Sequence, residues 1–499
     1  MLIYIVTEHN APQGKEHIVM YKREEIAPEK IEEQRALCAQ IRSELNRERQ
    51  HYALVDTYGC QQNESDSEIL RGWLRDMGYE MTEDEGQADV IVVNTCAIRE
   101  HAEMRVFGNV GALVHQKKKN PELIVALCGC MAQKEEIREK VKRSFQVVDL
   151  CFGPHEVWRF PSLLVQAREV HGRSGNKGRV FAAEESEGVI AEDLPRLRQD
   201  GVKAWLAIMN GCNNYCSYCI VPYVRGRERS RRHEDVLREV AELAALGYKD
   251  ITLLGQNVNS YGKELEGNMD FADLLTAANA IDGDFRLRFM TSHPKDATDK
   301  LFEAMAKGEK CMPQLHLPVQ AGSDAILHAM NRHYTAEQYL RKVESARKLI
   351  PDLVITTDMI VGFPGETEED FQQTLDLVRA VEFDSMFTFI YSRRPGTKAA
   401  SLPDNASREE IQDRFDRLTA LANEISERRH ASCVGKDYRV LIDGKSSIGE
   451  YNLTSRTEGG RLVHLKGGDE LIGRYADVHV TDSNTYSLFG EISSKNSVF

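Results

Sequence analysis

From residue 51 onward, short β-branched and apolar runs alternate with segments of helical period, and that rhythm predicts an α/β chain. In YALVDTYGC, DVIVVNTC and LIVALCGC the apolar run ends at a cysteine, and each is followed by a helical stretch: SEILRGWLRDMGY, AEMRVFGNVGALVHQ and KEEIREKVKRSF. Repeated strand-then-helix units imply a parallel sheet covered by helices. A further strand near Val147 to Phe152 is expected to close this first domain, residues 51–170, with His155 to Leu164 packed behind it.

Residues 171–197 are polar and aperiodic, which predicts a linker. A second series of strands then appears in KAWLAIMNGC, DITLLGQNV, RLRFMTSHP, QLHLPVQAG, VITTDMIVGF and SMFTFIYS, with helical segments between most of them. Such a series, within residues 198–430, suits an open, partial β/α barrel. After a helix from about Arg408 to His430 the rhythm changes again. Short strands broken by Gly, Asp and Ser over residues 431–495 predict a small antiparallel β-barrel. Ahead of all this, residues 1–50 are rich in charge, and Pro28 to Gln50 is expected to form one solvated helix without chemistry.

Composition narrows the function classes. With 41% apolar and 28% charged residues over 499 positions, the chain is an ordinary globular protein of several domains. No apolar stretch approaches the roughly 20 residues of a membrane span, and no basic region precedes the short apolar start, so a cytoplasmic, membrane-free protein is expected. A formal charge of −14 is the wrong sign for coating nucleic acid indiscriminately, so any RNA contact needs a local basic patch. The 11 cysteines are unlikely disulfide partners in that compartment, and clustered ones point to metal.

Two clusters of cysteines stand out. Cys212, Cys216 and Cys219 share one loop after the first barrel strand. Three thiolates can hold three irons of a 4Fe-4S cube and leave the fourth open to a chelating ligand. A structural zinc site is the alternative, but zinc needs four ligands and the next cysteine, Cys311, is distant in sequence. In the first domain Cys60, Cys96 and Cys130 each follow the end of a successive strand. Neighbouring parallel strands lie about 4.8 Å apart, so three such thiols can converge at the edge where α/β sheets collect ligands. Gly59 and Gly129 would let the backbone turn around a cluster, and simple packing of three cysteines at strand ends is the alternative.

The spacing CxxxCxxC, with Tyr218 before the last cysteine, resembles the radical S-adenosylmethionine superfamily. That resemblance implies a catalytic cluster on Cys212, Cys216 and Cys219, with S-adenosyl-L-methionine on the open iron as the source of a carbon radical. It also implies cofactor contacts at Tyr218, at Gln256 and Asn257 past the second barrel strand, and at Asp358 on the fifth, each with a bland alternative as a cap or turn residue.

TYGCQQNESDSE, NTCAIREHAEMRVFGNVG, CGCMAQ and GCNNYCSYCIVPYVRGRERSR resemble the signatures of the methylthiotransferase family within that superfamily, from about Tyr52 to the end. Gln62 departs from the usual methionine at a position that ligates nothing. The resemblance implies two 4Fe-4S clusters, the second on Cys60, Cys96 and Cys130, in a monomer fed by an electron donor such as a flavodoxin or ferredoxin. It implies that a methylthio group is placed on C2 of N6-isopentenyladenosine at position 37, in the anticodon loop of transfer RNA. Sister enzymes acting on threonylcarbamoyl-adenosine or on a ribosomal-protein aspartate are the rival; YGCQQN favours the isopentenyl branch. The terminal β-barrel resembles the TRAM RNA-binding domain. In RGRERSRR, Arg225, Arg227 and Arg231 are candidate RNA contacts, with a solvated charge run as the alternative. Cys38, Cys128, Cys151, Cys311 and Cys433 match no ligand position and are expected to be small buried hydrophobes.

Overall fold

The computed structural model describes residues 24–45, 49–97, 100–173, 175–183, 188–199 and 201–493. In the first domain, β1 (Tyr52–Thr57), β2 (Glu80–Met81), β3 (Val90–Thr95), β4 (Ile124–Gly129), β5 (Leu150–Phe152) and β6 (Val180–Ala182) form one parallel sheet. Their order is β2-β1-β3-β4-β5-β6. β3 and β4 are buried along their whole length. Val90 and Val92 face a core holding Trp73 and Phe160, while Ile91 and Val93 face a second core with Phe107 and Ile137. Their unbroken apolar sequence follows from that two-sided burial.

Two expectations are corrected here. The polar 171–197 segment supplies the edge strand β6, held by the buried Arg179, whose Nε donates to Val148 O (2.6 Å) and Nη2 to Phe145 O (2.9 Å). Val189–Ile190 also pairs with Glu24–Glu25. Strands of two or three residues are too short for their alternation to show among polar neighbours. The expected solvated helix, α1 (Pro28–Leu45), buries Ile31, Gln34, Cys38, Ile41 and Leu45. Their three- and four-residue spacing makes one stripe, which lies on the first-domain core with α2 (Gln61–Asp76). Residues 1–23 of that extension lie outside the described residues.

All six expected strands of the central domain are present. β7 (Lys203–Ala207), β8 (Asp250–Leu254) and β9 (Arg286–Phe289) form one parallel set, and β10 (Gln314–His316), β11 (Val354–Val361) and β12 (Ser385–Ile390) another. A parallel bridge between Leu287 and Cys311 joins the sets, leaving β7 and β12 as the outer strands of a partial barrel. The helix α3 (Arg408–Ala431) starts at a capping box of Ser407 and Glu410 and lies along β12.

The C-terminal strands β13 (Asp437–Ile448), β14 (Tyr451–Thr457), β15 (Leu462–Leu465), β16 (Tyr475–Ser483) and β17 (Leu488–Ile492) close into a barrel in the order β13-β14-β15-β17-β16. The barrel is not antiparallel throughout: β15 and β17 pair in parallel, Val463 with Leu488. Closure requires this, because β16 lies between them in sequence and β17 comes back alongside β15 in the same direction. This small barrel seats against the strand starts of the central barrel. Arg286 donates to Arg439 O (3.0 Å) and Arg456 O (2.8 Å), Tyr475 Oη donates to Lys249 O (3.1 Å), and Lys203 and Asp384 pair with Asp443 and Arg461. No helix among the described residues is long and apolar enough to cross a membrane.

Candidate active site

Cys96 and Cys130 follow directly on the last residues of β3 and β4, and Cys60 caps α2 just past β1. The register pairs Thr95 with Gly129, so the next residues, Cys96 and Cys130, leave the sheet side by side. A Cβ placed on Gly59 would come within 2.7 Å of Cys96 Cβ, which shows how closely the first loop meets the second. The Cys96 thiol, with help from Arg225, holds the Cys60 thiol down to about 6 against the opposing effect of burial.

Buried amides lock these loops. Asn63 Nδ2 donates to Asn94 Oδ1 (3.2 Å) and Thr95 O (3.0 Å), and Asn94 Nδ2 returns to Asn63 O (2.8 Å) and Ser67 Oγ (2.9 Å). Gly129 sits at φ +91°, where a Cβ would lie 2.4 Å from Asn94 Oδ1 and Thr95 O. Only glycine fits that turn.

Cys212, Cys216 and Cys219 lie in the loop that the ribbon Met209–Asn210 with Arg229–Ser230 folds back, and Cys212 N donates to Gly226 O (3.2 Å). Ser217 is pinned from N to Met330 O (3.0 Å) and from Oγ to Ala329 O (2.8 Å). Arg332, fully inside the protein, donates from Nη1 to Cys216 Sγ (3.3 Å), from Nη2 to Pro318 O (2.7 Å) and from Nε to Tyr334 Oη (2.9 Å). Burial pushes the Cys212 thiol well up and the Cys219 thiol up to about 12.

The two cysteine loops touch. Ile220 and Val224, in the turn after Cys219, pack on Ala97 and Cys130. Arg225 donates from Nε to Cys130 Sγ (3.1 Å) and from Nη2 to Asp66 Oδ2 (2.7 Å).

Comparison with known proteins gives this arrangement a family. The Radical SAM superfamily matches residues 206–378, the uncharacterized protein family UPF0004 residues 52–153, and the TRAM domain residues 431–493. A tRNA-2-methylthio-N6-dimethylallyladenosine synthase of Alkaliphilus oremlandii is 47% identical over 94% of this chain and 98% of its own. One of Caldicellulosiruptor saccharolyticus is 50% identical over 88% of this chain and 92% of its own. The chain belongs to this synthase family.

Among solved structures, a radical S-adenosylmethionine methyltransferase, TsrM, from Kitasatospora setae is similar in fold, with a TM-score of 0.52 at 16% identity over 70% of this chain and 77% of that one.

Within this synthase-family chain, two arginines expected to meet RNA are committed elsewhere. Arg225 is buried between Asp66 and Cys130; burial acts against its charge, yet Asp66 and the thiols hold its pKa above the ordinary guanidinium value. Arg231 is buried as well, bonded to Glu192 (2.6 Å), Glu239 (2.8 Å) and Ala207 O (2.9 Å). The sequence shows a run of positive charge but not the carboxylates that arrive from distant segments to neutralise it. Arg227 is half-buried.

The expected cofactor contacts spread over the barrel mouth. Asn257 is buried, with Nδ2 on Asp296 Oδ2 (2.7 Å) and Oδ1 without a hydrogen-bond partner among the described residues; Gln256 Oε1 is likewise unpaired among them. Tyr218 Oη lies 3.4 Å from Arg332 Nη1. Asp358 is inside β11 rather than past its end, with Oδ2 3.7 Å from His316 Nε2.

Sequence reasoning missed Arg332, for which no motif gave a signal, and also Ser292 and His293, which follow β9 as Gln256 and Asn257 follow β8. Ser292 Oγ and His293 Nε2 are buried without hydrogen-bond partners among the described residues. Burial, then Arg332, pushes the His293 imidazole far below its ordinary value, so it is neutral; Lys295 N donates to Nδ1 (3.2 Å), which leaves the proton on Nε2. Cys38, Cys128, Cys151, Cys311 and Cys433 are buried, as expected.

The donor chemistry fits iron–sulfur clusters with a nucleoside cofactor. Each trio offers thiols with a buried guanidinium on one sulfur, and the mouth offers orphaned polar atoms of both polarities. Among the described residues no three His, Cys, Asp or Glu close around a point tightly enough for a single ion. A cube instead gives each thiolate its own iron. A cavity of about 310 Å³ lies between the first domain and the central barrel, lined by Asp66, His155, Glu192, Arg225, Arg231 and Glu239 among others, and none of the six cysteines reaches it.

Proposed function

We propose that this chain is a radical S-adenosylmethionine methylthiotransferase that places a methylthio group on C2 of N6-isopentenyladenosine at position 37 of tRNA. In this reading Cys212, Cys216 and Cys219 hold one 4Fe-4S cluster and Cys60, Cys96 and Cys130 another. The observation that carries it is the contact between the two loops through Ile220, Val224 and Arg225. Hydrogen removal and sulfur delivery act on the same carbon, so their two centres must share one chamber.

When bound, the cluster and S-adenosylmethionine supply one-electron cleavage of a sulfonium bond and thereby hydrogen-atom removal from an unactivated carbon. The protein's part is binding and exclusion of water. Gln256 Oε1 and Asn257 Oδ1 accept from the ammonium or hydroxyl groups of the cofactor, while Ser292 Oγ and His293 Nε2 donate to its anionic or carbonyl oxygens. Arg332 and Arg225 each set a buried guanidinium N–H on a cysteine sulfur, Cys216 and Cys130, which fixes where those sulfurs point. The TRAM barrel holds the RNA; an external one-electron donor such as a flavodoxin or ferredoxin would supply the electron that the sulfonium cleavage consumes, a second S-adenosylmethionine the methyl group, and the first-domain cluster the sulfur.

The test is anaerobic reconstitution followed by incubation with tRNA carrying N6-isopentenyladenosine. Mass spectrometry of the digested nucleosides is expected to show the 2-methylthio derivative together with 5′-deoxyadenosine. Formation of 5′-deoxyadenosine with no sulfur transfer to this nucleoside, or transfer only to threonylcarbamoyl-adenosine, overturns the assignment.

A further inference from the structure

The outer strand β12 carries the only two phenylalanines among the described residues that are exposed, Phe387 at 55% and Phe389 at 39%. Parallel pairing sets Phe387 beside Asp358 and Phe389 beside Ile360, and side chains at paired positions project to the same face. Thr388, between them, turns the other way and meets Thr419 of α3 (3.3 Å), so the two rings lie on the concave face of the barrel. The His316 ring stands edge-on to Phe387 with centroids 6.4 Å apart, and His316 Nε2 lies near Asp358. Beyond β12 the chain returns to the radical loop, where Ala399 N donates to Ser217 O (2.8 Å). The segment that leaves this wall therefore anchors the Cys212–Cys219 loop.

We propose that Phe387 and Phe389 form the wall against which the splayed target adenine and its isopentenyl group stack, with Asp358 and His316 at the polar edge of the base. This rests on the tRNA reading above and names the part of the site that recognises the modified base. A purine has a flat π-face and the prenyl group is wholly apolar, so an aromatic ladder left open to solvent matches both. Two ridges of phenyl next to a carboxylate and an imidazole are an unusual surface for water alone to cover. The small terminal barrel points to the same flank. It sits at the strand starts, opposite the cysteine loops, so an RNA held there and presented at the mouth must pass along an open side of the barrel, and β12 borders one.

The test is equilibrium binding of the full-length protein to anticodon stem-loops bearing either adenosine or N6-isopentenyladenosine, with a third stem-loop carrying 2-aminopurine at the target position. Wild type is expected to prefer the isopentenyl form and to quench the 2-aminopurine by stacking. Phe387→Ala and Phe389→Ala each lower affinity for the isopentenyl form about ten-fold and relieve the quench, whereas Phe387→Tyr, which keeps a ring, restores both. Because both side chains are exposed, thermal unfolding of the variants is expected to match wild type. Alanine variants that keep wild-type affinity and preference overturn the wall while leaving the tRNA reading intact. Wild type that binds the stem-loop no better than an unrelated hairpin overturns both. A wild-type dimer that Phe387→Ala dissolves assigns the rings to self-association and also overturns the proposal.

Discussion

Arg225 Nε lies 3.1 Å from Cys130 Sγ while its Nη2 holds Asp66 Oδ2 at 2.7 Å, so one side chain just past the Cys212–Cys219 loop ends on a first-domain cysteine. Replacing it by glutamine strands Asp66 beside buried thiols. Breaking a buried pair from one side costs about 3–5 kcal/mol, so Arg225→Gln is expected to lower the denaturation midpoint and to lose first-domain iron preferentially. Denaturant titration with iron analysis checks both, and unchanged stability with full iron content refutes the bridging role.

Arg332 plays the corresponding part for Cys216, with three further anchors on Pro318 and the tyrosines Tyr334 and Tyr218. Arg332→Lys keeps a charge but loses the fork that reaches all of them. The expected result is a fall of about ten-fold in 5′-deoxyadenosine formation, or roughly 1.4 kcal/mol, with the first-domain cluster retained by electron paramagnetic resonance.

The two trios are expected to separate chemically. A Cys60→Ala, Cys96→Ala, Cys130→Ala protein should keep about half its iron and still cleave S-adenosylmethionine without making methylthiolated nucleoside, each cube being held by its own thiolates. The triple alanine variant at Cys212, Cys216 and Cys219 should do neither. Iron determination and chromatography of the two products give the answer.

The strand ends of the candidate site were legible because a β/α rhythm fixes where strands stop, and Cys60, Cys96 and Cys130 stand at those stops. The six barrel strands were legible for the same reason. Arg225 and Arg231 were not, because burial depends on carboxylates at Asp66, Glu192 and Glu239 that no local pattern links to them. The edge strand at Val180–Ala182 was hidden by its brevity, and the parallel pairing of β15 with β17 is a property of closure, invisible in any one segment. His293 and Ser292 were within reach of the strand-end argument that singled out Gln256 and Asn257.

Gly129 offers a test of the turn rather than of the metal. Gly129→Ala puts a methyl group where Asn94 and Thr95 already stand and forces a left-handed φ on a side chain. A loss of about 1–3 kcal/mol is expected. Thermal unfolding of the metal-free protein measures it without interference from cluster loss.

Asp384 joins the two barrels, with Arg461 and Arg429 on one buried carboxylate. Asp384→Asn is expected to weaken tRNA binding several-fold while leaving RNA-independent 5′-deoxyadenosine formation at its wild-type level. Filter binding and an uncoupled cleavage assay separate the two effects; equal loss in both would place Asp384 in the core instead.

The seating of the terminal barrel at the strand starts gives the molecule a built-in gauge. The eight residues of β11 rise about 26 Å at roughly 3.3 Å each, so the terminal barrel and the mouth above it are held a fixed stride apart. A free nucleoside or a very short hairpin reaches only one of the two. With RNA held at the terminal barrel, as proposed, that spacing would select by reach, independent of base identity.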